Sequence, residues 1–221
     1  ITDHFCGGNC IVSKIEQDTV YLRPDMRDTQ DKWFYWAFCV KNAAGKTLTF
    51  DFEGENFIGY YGPAVSHDLE HWRWLEDRED CSKFTYTFGE EENCVYFAHH
   101  MLYHPDRFYR FAERNGLDVQ VLCKSKKGRD IPYVQFGNGS RKILLSARHH
   151  SCESTGNYIL EGVLTGFLQN PIENLKVFCV PFVDFDGVVD GDQGKNRYPH
   201  DHNRDYMPNE KSIYTSTEKI R

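Results

Sequence analysis

From Asn9 to His100 apolar and polar positions alternate, and the alternating runs are rich in aromatic and β-branched residues: NCIVSKI, TVYLR, WFYWAFCVKN, KTLTFDFEG, FIGYYGP, KFTYTFG and NCVYFAHH. Successive side chains on a strand point to opposite faces, so a period of two marks a strand with one buried face. Short strands of this kind, separated by turn signals such as NAAGK and EGEN, predict an antiparallel β-sandwich.

The pattern changes near residue 105. PDRFYRFAERN (105–115) has Pro at a helix start, apolar residues at helical spacing and Gly116 as its stop. That helix marks the predicted boundary between a sandwich over 1–104 and a second domain over 105–221. Beyond it, DVQVLCKS, IPYVQFG, KILLSAR and LKVFCVPF read as strands, the last two being continuous apolar runs of the sort buried on both faces of a sheet. Between those two, TGNYILEGVLTGFLQNP repeats Ile159/Leu160, Val163/Leu164 and Phe167/Leu168 every four residues and ends at Pro171, a helix. Strand, helix, strand predicts a crossover unit within a mixed α/β sheet. The fold class expected is therefore a two-domain α+β chain.

Composition narrows the class. With 221 residues, 40% hydrophobic, 27% charged and 15% aromatic, the chain can bury one large core or two modest ones. Its net charge of -7 gives no reason to expect a nucleic-acid or anionic-membrane partner, both of which reward clustered Lys and Arg. No apolar run approaches the roughly 18 residues of a membrane span, and no basic-then-apolar leader opens the chain. The eight cysteines form no C-x-x-C pair, and Cys39, Cys94, Cys123 and Cys179 fall in apolar runs where a free thiol acts as a small hydrophobe. A reducing, cytoplasmic setting is expected.

Two stretches carry candidate chemistry. In ARHHSCES, His150 and Glu153 stand at the end of a predicted buried strand and just before a helix, where open α/β sheets place their ligand crevices. An i, i+3 imidazole and carboxylate can converge on one ion such as zinc. The spacing alone leaves a solvated surface turn equally open, and His67 and Glu70 repeat it within the sandwich region. In VPFVDFDGVVDGDQGKNRYPHDHNRDY, a strand runs into a long polar, Gly-rich loop that ends on Asn203 and Arg204, an amide and a bidentate fork suited to gripping a carboxylate.

Taken together, ARHHSCES, the following helix, the strand into DFDGV, and DHNRDY resemble the M14 zinc carboxypeptidases. The resemblance is closest to the cytosolic carboxypeptidase-like branch, in which such a domain follows a β-sandwich. It implies an α/β/α catalytic domain, incomplete here, and one zinc per intact site. It implies that His150 and Glu153 are the first two zinc ligands and that Asn203 and Arg204 hold the substrate's terminal carboxylate. It also implies an arginine that polarises the scissile carbonyl, for which Arg197 is the candidate and Lys195 the rival. His149 is assigned to the ligand's surroundings or the core. Asp184-Phe185 stands where the family commonly has Asn-Pro before its Asp-Gly turn.

The family's third ligand is a histidine well beyond the Asn-Arg pair, followed by a general-base glutamate and a tyrosine. No histidine follows His202. The chain is accordingly read as a fragment, inactive alone and weak in zinc. The intact protein is expected to hydrolyse C-terminal peptide or isopeptide bonds, with peptide or protein C-termini as partners. Alternative readings are an aspartoacylase-like deacylase or cell-wall peptide hydrolase on the same scaffold, or a non-catalytic binding module.

Overall fold

The computed structural model describes residues 1–76 and 80–221. It divides into two compact units, the first made of Ile1–Arg27, Asp31–Leu102 and Asp190–Asp192, the second of Asp28–Gln30, Tyr103–Val189 and Gln193–Arg221.

The first unit is a sandwich of two four-stranded sheets. One contains β1 (Ile11–Glu16), β2 (Thr19–Arg23), β4 (Thr47–Asp51) and β7 (Lys83–Thr87) in that order; the other runs β3 (Ala37–Lys41), β8 (Cys94–Ala98), β5 (Ala64–Ser66) and β6 (Arg73–Trp74). Alternation sends Val20, Leu22, Phe50 and Phe84 from the first sheet, and Phe38, Val40, Val95 and Phe97 from the second, into one core. Its centre is aromatic, with the Phe50 ring 4.9 Å from Phe84 and 5.3 Å from Phe97, separations at which offset and edge contacts are favourable. Two expectations change. The sandwich is not wholly antiparallel, because β2 and β4 run parallel. FIGYYGP contributes no strand: Tyr60 and Tyr61 lie exposed in a turn, and the strand forms just beyond it as β5.

The second unit is built on a mixed sheet of order β11 (Arg141–Ser146), β12 (Leu175–Val180), β10 (Asp130–Gly137) and β9 (Val119–Lys124), with β11 and β12 parallel and the other pairs antiparallel. Helix α1 (Pro105–Arg114) has Pro at its start and Gly116 in the left-handed region (φ 63°) beyond its end, and it buries Phe108, Phe111 and Ala112. The parallel strands are joined by α2 (Thr155–Gln169), which buries Leu160 and Leu164 but leaves Ile159 exposed. The continuous apolar run of β11 predicted burial on both faces. Within the described residues β11 lies at one end of this four-stranded sheet, β9 at the other, and Leu144 is exposed.

Burial holds three histidines in the neutral form: His99 in the first unit and His104 in the second are pushed down to about 4, and His202 in the second to about 3. Arg197 adds to the effect at His202 and Arg148 at His104. In the unfolded chain each would take up a proton below its ordinary value of about 6.5, so the unfolded state binds more protons and stability falls as pH drops from 6.5 towards 4. We expect each histidine to remove about 1 kcal/mol or more between pH 6.5 and pH 5. Urea denaturation at a series of pH values measures this, and His202→Gln should flatten the slope by about one proton. A stability independent of pH across that window would contradict the burial of these rings as neutral imidazoles.

Candidate active site

The segment from Ala147 to Ser154 links the end of β11 to α2. Its backbone is held from outside: Val183 N donates to Ala147 O (3.0 Å) and Asp184 N to Arg148 O (2.8 Å). Arg148 has a left-handed backbone (φ 59°), an uncommon conformation for a residue with a Cβ. Its buried guanidinium closes the turn, Nε donating to Ser151 O (2.6 Å) and Nη1 to Tyr103 O and Asn157 Oδ1 (3.2 Å each). This clamp turns the next residues, His149 and His150, towards a cavity of about 510 Å³ lined also by Glu153 and Asn203.

His150 Nδ1 lies 3.2 Å from Glu153 Oε1. The other ring nitrogen, Nε2, meets Asp201 Oδ2 at 3.1 Å. Asp201 is buried and also accepts from the backbone N–H groups of Asn196 (3.0 Å) and Asn203 (2.7 Å), so one carboxylate fixes the His150 ring, the 193–197 loop and the single turn His202–Arg204. A carboxylate on the far nitrogen of a histidine sets the ring's orientation and tautomer and strengthens it as a metal ligand. The hydrogen bond to Glu153 raises the His150 pKa despite burial, and Glu153 is drawn down to about 2, first by His150 and then by Lys195.

The Lys195 ammonium makes a short contact with Glu153 Oε1 and stands 3.4 Å from His150 Nδ1. A positive charge is thus already accommodated at the point where the two donors converge, and that donor set fits the first two ligands of a zinc ion. Among the described residues no group of three or more His, Cys, Asp or Glu side chains is arranged to hold a metal. Gly194 allows the loop to come this close: it is left-handed (φ 74°), and a Cβ there would collide with the backbone of Ser151 and His150.

The remaining candidates are placed differently. Arg197 lines another cavity, where its Nη2 pairs with the buried Asp184 Oδ2 at 2.8 Å and lies 3.6 Å from Asp28 Oδ2. Asp28 also accepts from the backbone of Gln193 (3.0 Å) and Gly194 (2.8 Å). The stretch read as a polar loop after β12 is partly helical, α3 covering Phe185–Asp190. Gly187 in that helix faces the ion pair, and a Cβ on it would strike Arg197, Asp184 and Ser151. Asn203 is exposed on the cavity beside His150. Arg204 is exposed too, but lines a separate hollow with His200 and Met207, and its Nη1 reaches only the Asn203 carbonyl at 3.5 Å. His149 lines the His150 cavity, bonded to the Tyr206 hydroxyl at 2.7 Å, and burial lowers its pKa. The structure therefore gathers His150, Glu153 and Asn203 round one cavity and sets Arg197 and Arg204 on others. His67 Nε2 lies 2.6 Å from Glu92 Oε1 at the exposed surface of the first unit.

Sequence reasoning missed Asp201 and Asp28. Asp201 could have been flagged by its place two residues before Asn203, as an N-cap; nothing local marks Asp28, which acts on residues some 165 positions away.

Residues 1–100 match the family model described as the cytosolic carboxypeptidase N-terminal domain. Human cytosolic carboxypeptidase 2 is 28% identical over 149 residues, covering 57% of this chain and 16% of that protein. The uncharacterized protein ZMO1242 of Zymomonas mobilis is 29% identical over 171 residues, covering 72% of this chain and 45% of that protein. Among solved structures, a metallo-carboxypeptidase from Burkholderia cenocepacia superposes with a TM-score of 0.80 at 20% identity, over 99% of this chain and 65% of that one. A metallo-carboxypeptidase from Pseudomonas aeruginosa does so with a TM-score of 0.71 at 24% identity, over 90% of this chain and 59% of that one. These structures establish a shared fold, and the chain spans less than half the length of the relatives matched by sequence.

Proposed function

We infer that this chain, which resembles the M14 cytosolic carboxypeptidases and shares the fold of solved metallo-carboxypeptidases, is part of a zinc metallocarboxypeptidase that hydrolyses C-terminal peptide or isopeptide bonds. The observation that carries this reading is the convergence of His150 Nδ1 and Glu153 Oε1 on one point, with Asp201 behind the imidazole and Asn203 on the same cavity. His150 and Glu153 are its zinc donors. Zinc, when bound, polarises the scissile carbonyl and makes water more acidic.

This chain's own residues supply the positioning. Asp201 holds the imidazole so that Nδ1 faces Glu153, and through Asn203 N it ties the substrate-gripping turn to the ligand pair. Asn203 offers its amide to the terminal carboxylate of a peptide or protein, and Arg204, the next residue, supplies the fork. Of the two cations considered for the carbonyl, geometry favours Lys195, which stands at the ligand pair, over Arg197, which is engaged with Asp184. No helix among the described residues is long and apolar enough to cross a membrane, and a cytoplasmic setting accords with the family.

Zinc affinity, measured by competition with a chromogenic chelator, tests the reading without requiring turnover. Two protein donors bind zinc weakly, since stable sites use three or more, so the wild-type constant should be modest. His150→Ala should weaken it at least tenfold, and Asp201→Asn about tenfold through loss of ring orientation. Unchanged affinity in His150→Ala would remove the metal assignment.

A further inference from the structure

The sequence places Cys39 and Cys94 in separate apolar runs, but pairing of β3 with β8 brings them together. Cys39 stands opposite Tyr96 and Cys94 opposite Lys41, which makes the two cysteines diagonal neighbours across the antiparallel pair. Phe38, Val40, Val95 and Phe97 point into the sandwich core, so Cys39, Cys94 and Tyr96 share the other face of the sheet. There the two Sγ atoms are 3.1 Å apart, about 1 Å beyond the ~2.05 Å length of a disulfide bond. Both are free thiols; Cys39 is buried and Cys94 is half-buried.

We propose that Cys39 and Cys94 are an oxidisable dithiol, a modification site that closes to a cross-strand disulfide when the protein meets hydrogen peroxide. Cys94, the more accessible sulfur, attacks the peroxide; the O–O bond breaks, one oxygen leaves as water and Cys94 becomes a sulfenic acid. The Cys39 sulfur then attacks the Cys94 sulfur, its proton and the sulfenic hydroxyl leave as a second water, and the S–S bond forms. Two thiols lose two electrons and two protons, and one peroxide is reduced to two waters. Burial, with the Cys94 hydrogen bond second, pushes Cys39 up to about 12, which suits it to the second step, because a buried thiol is a poor first nucleophile. Tyr96 is held protonated in the same way, its pKa pushed to about 12 by burial first and by its hydrogen bond with Cys94 second. The bond closes a loop of 55 positions that contains β4 to β7, and thiol reductants of the cytoplasm reverse it.

The experiment treats the 221-residue protein, purified under reductant, with hydrogen peroxide and follows it by intact mass and peptide mapping. The expected product is about 2 Da lighter, through loss of two hydrogens. Its mapped cross-link joins Cys39 to Cys94, and dithiothreitol restores the original mass. Cys152 and Cys179, fully buried and pushed up to about 12, remain unmodified in the same digest. Cys94→Ser should lose the 2 Da step; if that variant does not fold, the wild-type map decides alone. Accumulation of oxygen on Cys94 without a cross-link, or a cross-link joining other cysteines, overturns the proposal.

Discussion

Arg197→Ala is expected to cost about 3–5 kcal/mol of folding stability, a large share of the 5–15 kcal/mol that holds a typical domain. The cause is the charge left behind. Asp184 is 2% exposed, and its Oδ2 has the Arg197 Nη2 at 2.8 Å. Desolvating a carboxylate is tolerable with such a partner and expensive without it, so removing one member does more harm than the pair does good. Gly187 reports the same constraint from the other side, since no side chain fits between α3 and the ion pair. The double change Arg197→Met with Asp184→Leu should recover much of the loss, because apolar residues of similar volume often replace a buried pair without penalty. Urea titration of the two variants measures both effects. A loss below about 1 kcal/mol, the range of an exposed pair, would show that Arg197 is not a structural partner of Asp184 and would return it to contention for the carbonyl.

Arg204→Ala should act on substrate discrimination and leave folding alone. Its guanidinium is exposed and holds only a long contact to the Asn203 carbonyl, whereas Arg197 is committed, and this difference decides which arginine can turn to meet a chain end. A terminal carboxylate is the charged group that every C-terminus shares and no mid-chain amide has. A fork can meet it with two charge-assisted bonds of about 1.5–3 kcal/mol each. In an active preparation carrying these residues, kcat/KM on free-acid peptides should fall by roughly 10²-fold or more. Residual cleavage of C-terminally amidated peptides should hardly change, and Arg204→Lys should recover part of the loss, because a point charge cannot reproduce two-pronged geometry. An equal loss on both substrate types would rule out the anchor role.

What the sequence made legible was whatever depends on near neighbours. The period of two placed β7 and β8, Pro105 and Gly116 bracketed α1, and the strand-helix-strand order gave the parallel β11–β12 pair. The motif ARHHSCES was enough to set His150 beside Glu153, because one turn of chain does that work. Errors arose where the deciding partner is distant. The roles of Arg197 and Lys195, two positions apart, are separated by Asp184 and Glu153, whose proximity no spacing rule supplies. Likewise, four thiols in apolar runs look alike until strand register sets two of them sulfur to sulfur.

The parallel pairing of β2 with β4 bears on the order in which the first unit can assemble. β1 and β2 are joined by a two-residue turn and can zip up at once, whereas β4 cannot be added until the chain has travelled through β3 in the other sheet and returned. Closing such non-local contacts costs loop entropy before any pairing rewards it, which slows folding. Until β4 arrives, the inner edge of β2 presents unpaired N–H and C=O groups, a template for another chain. The opposite margin, β1, is exposed along most of its length and carries Lys14 and Glu16, charges that discourage edge-to-edge joining. The vulnerable interval in the life of this protein therefore falls during synthesis, between the emergence of Arg23 and that of Asp51, and a chaperone that shields β2 over that stretch would raise the yield of folded chains.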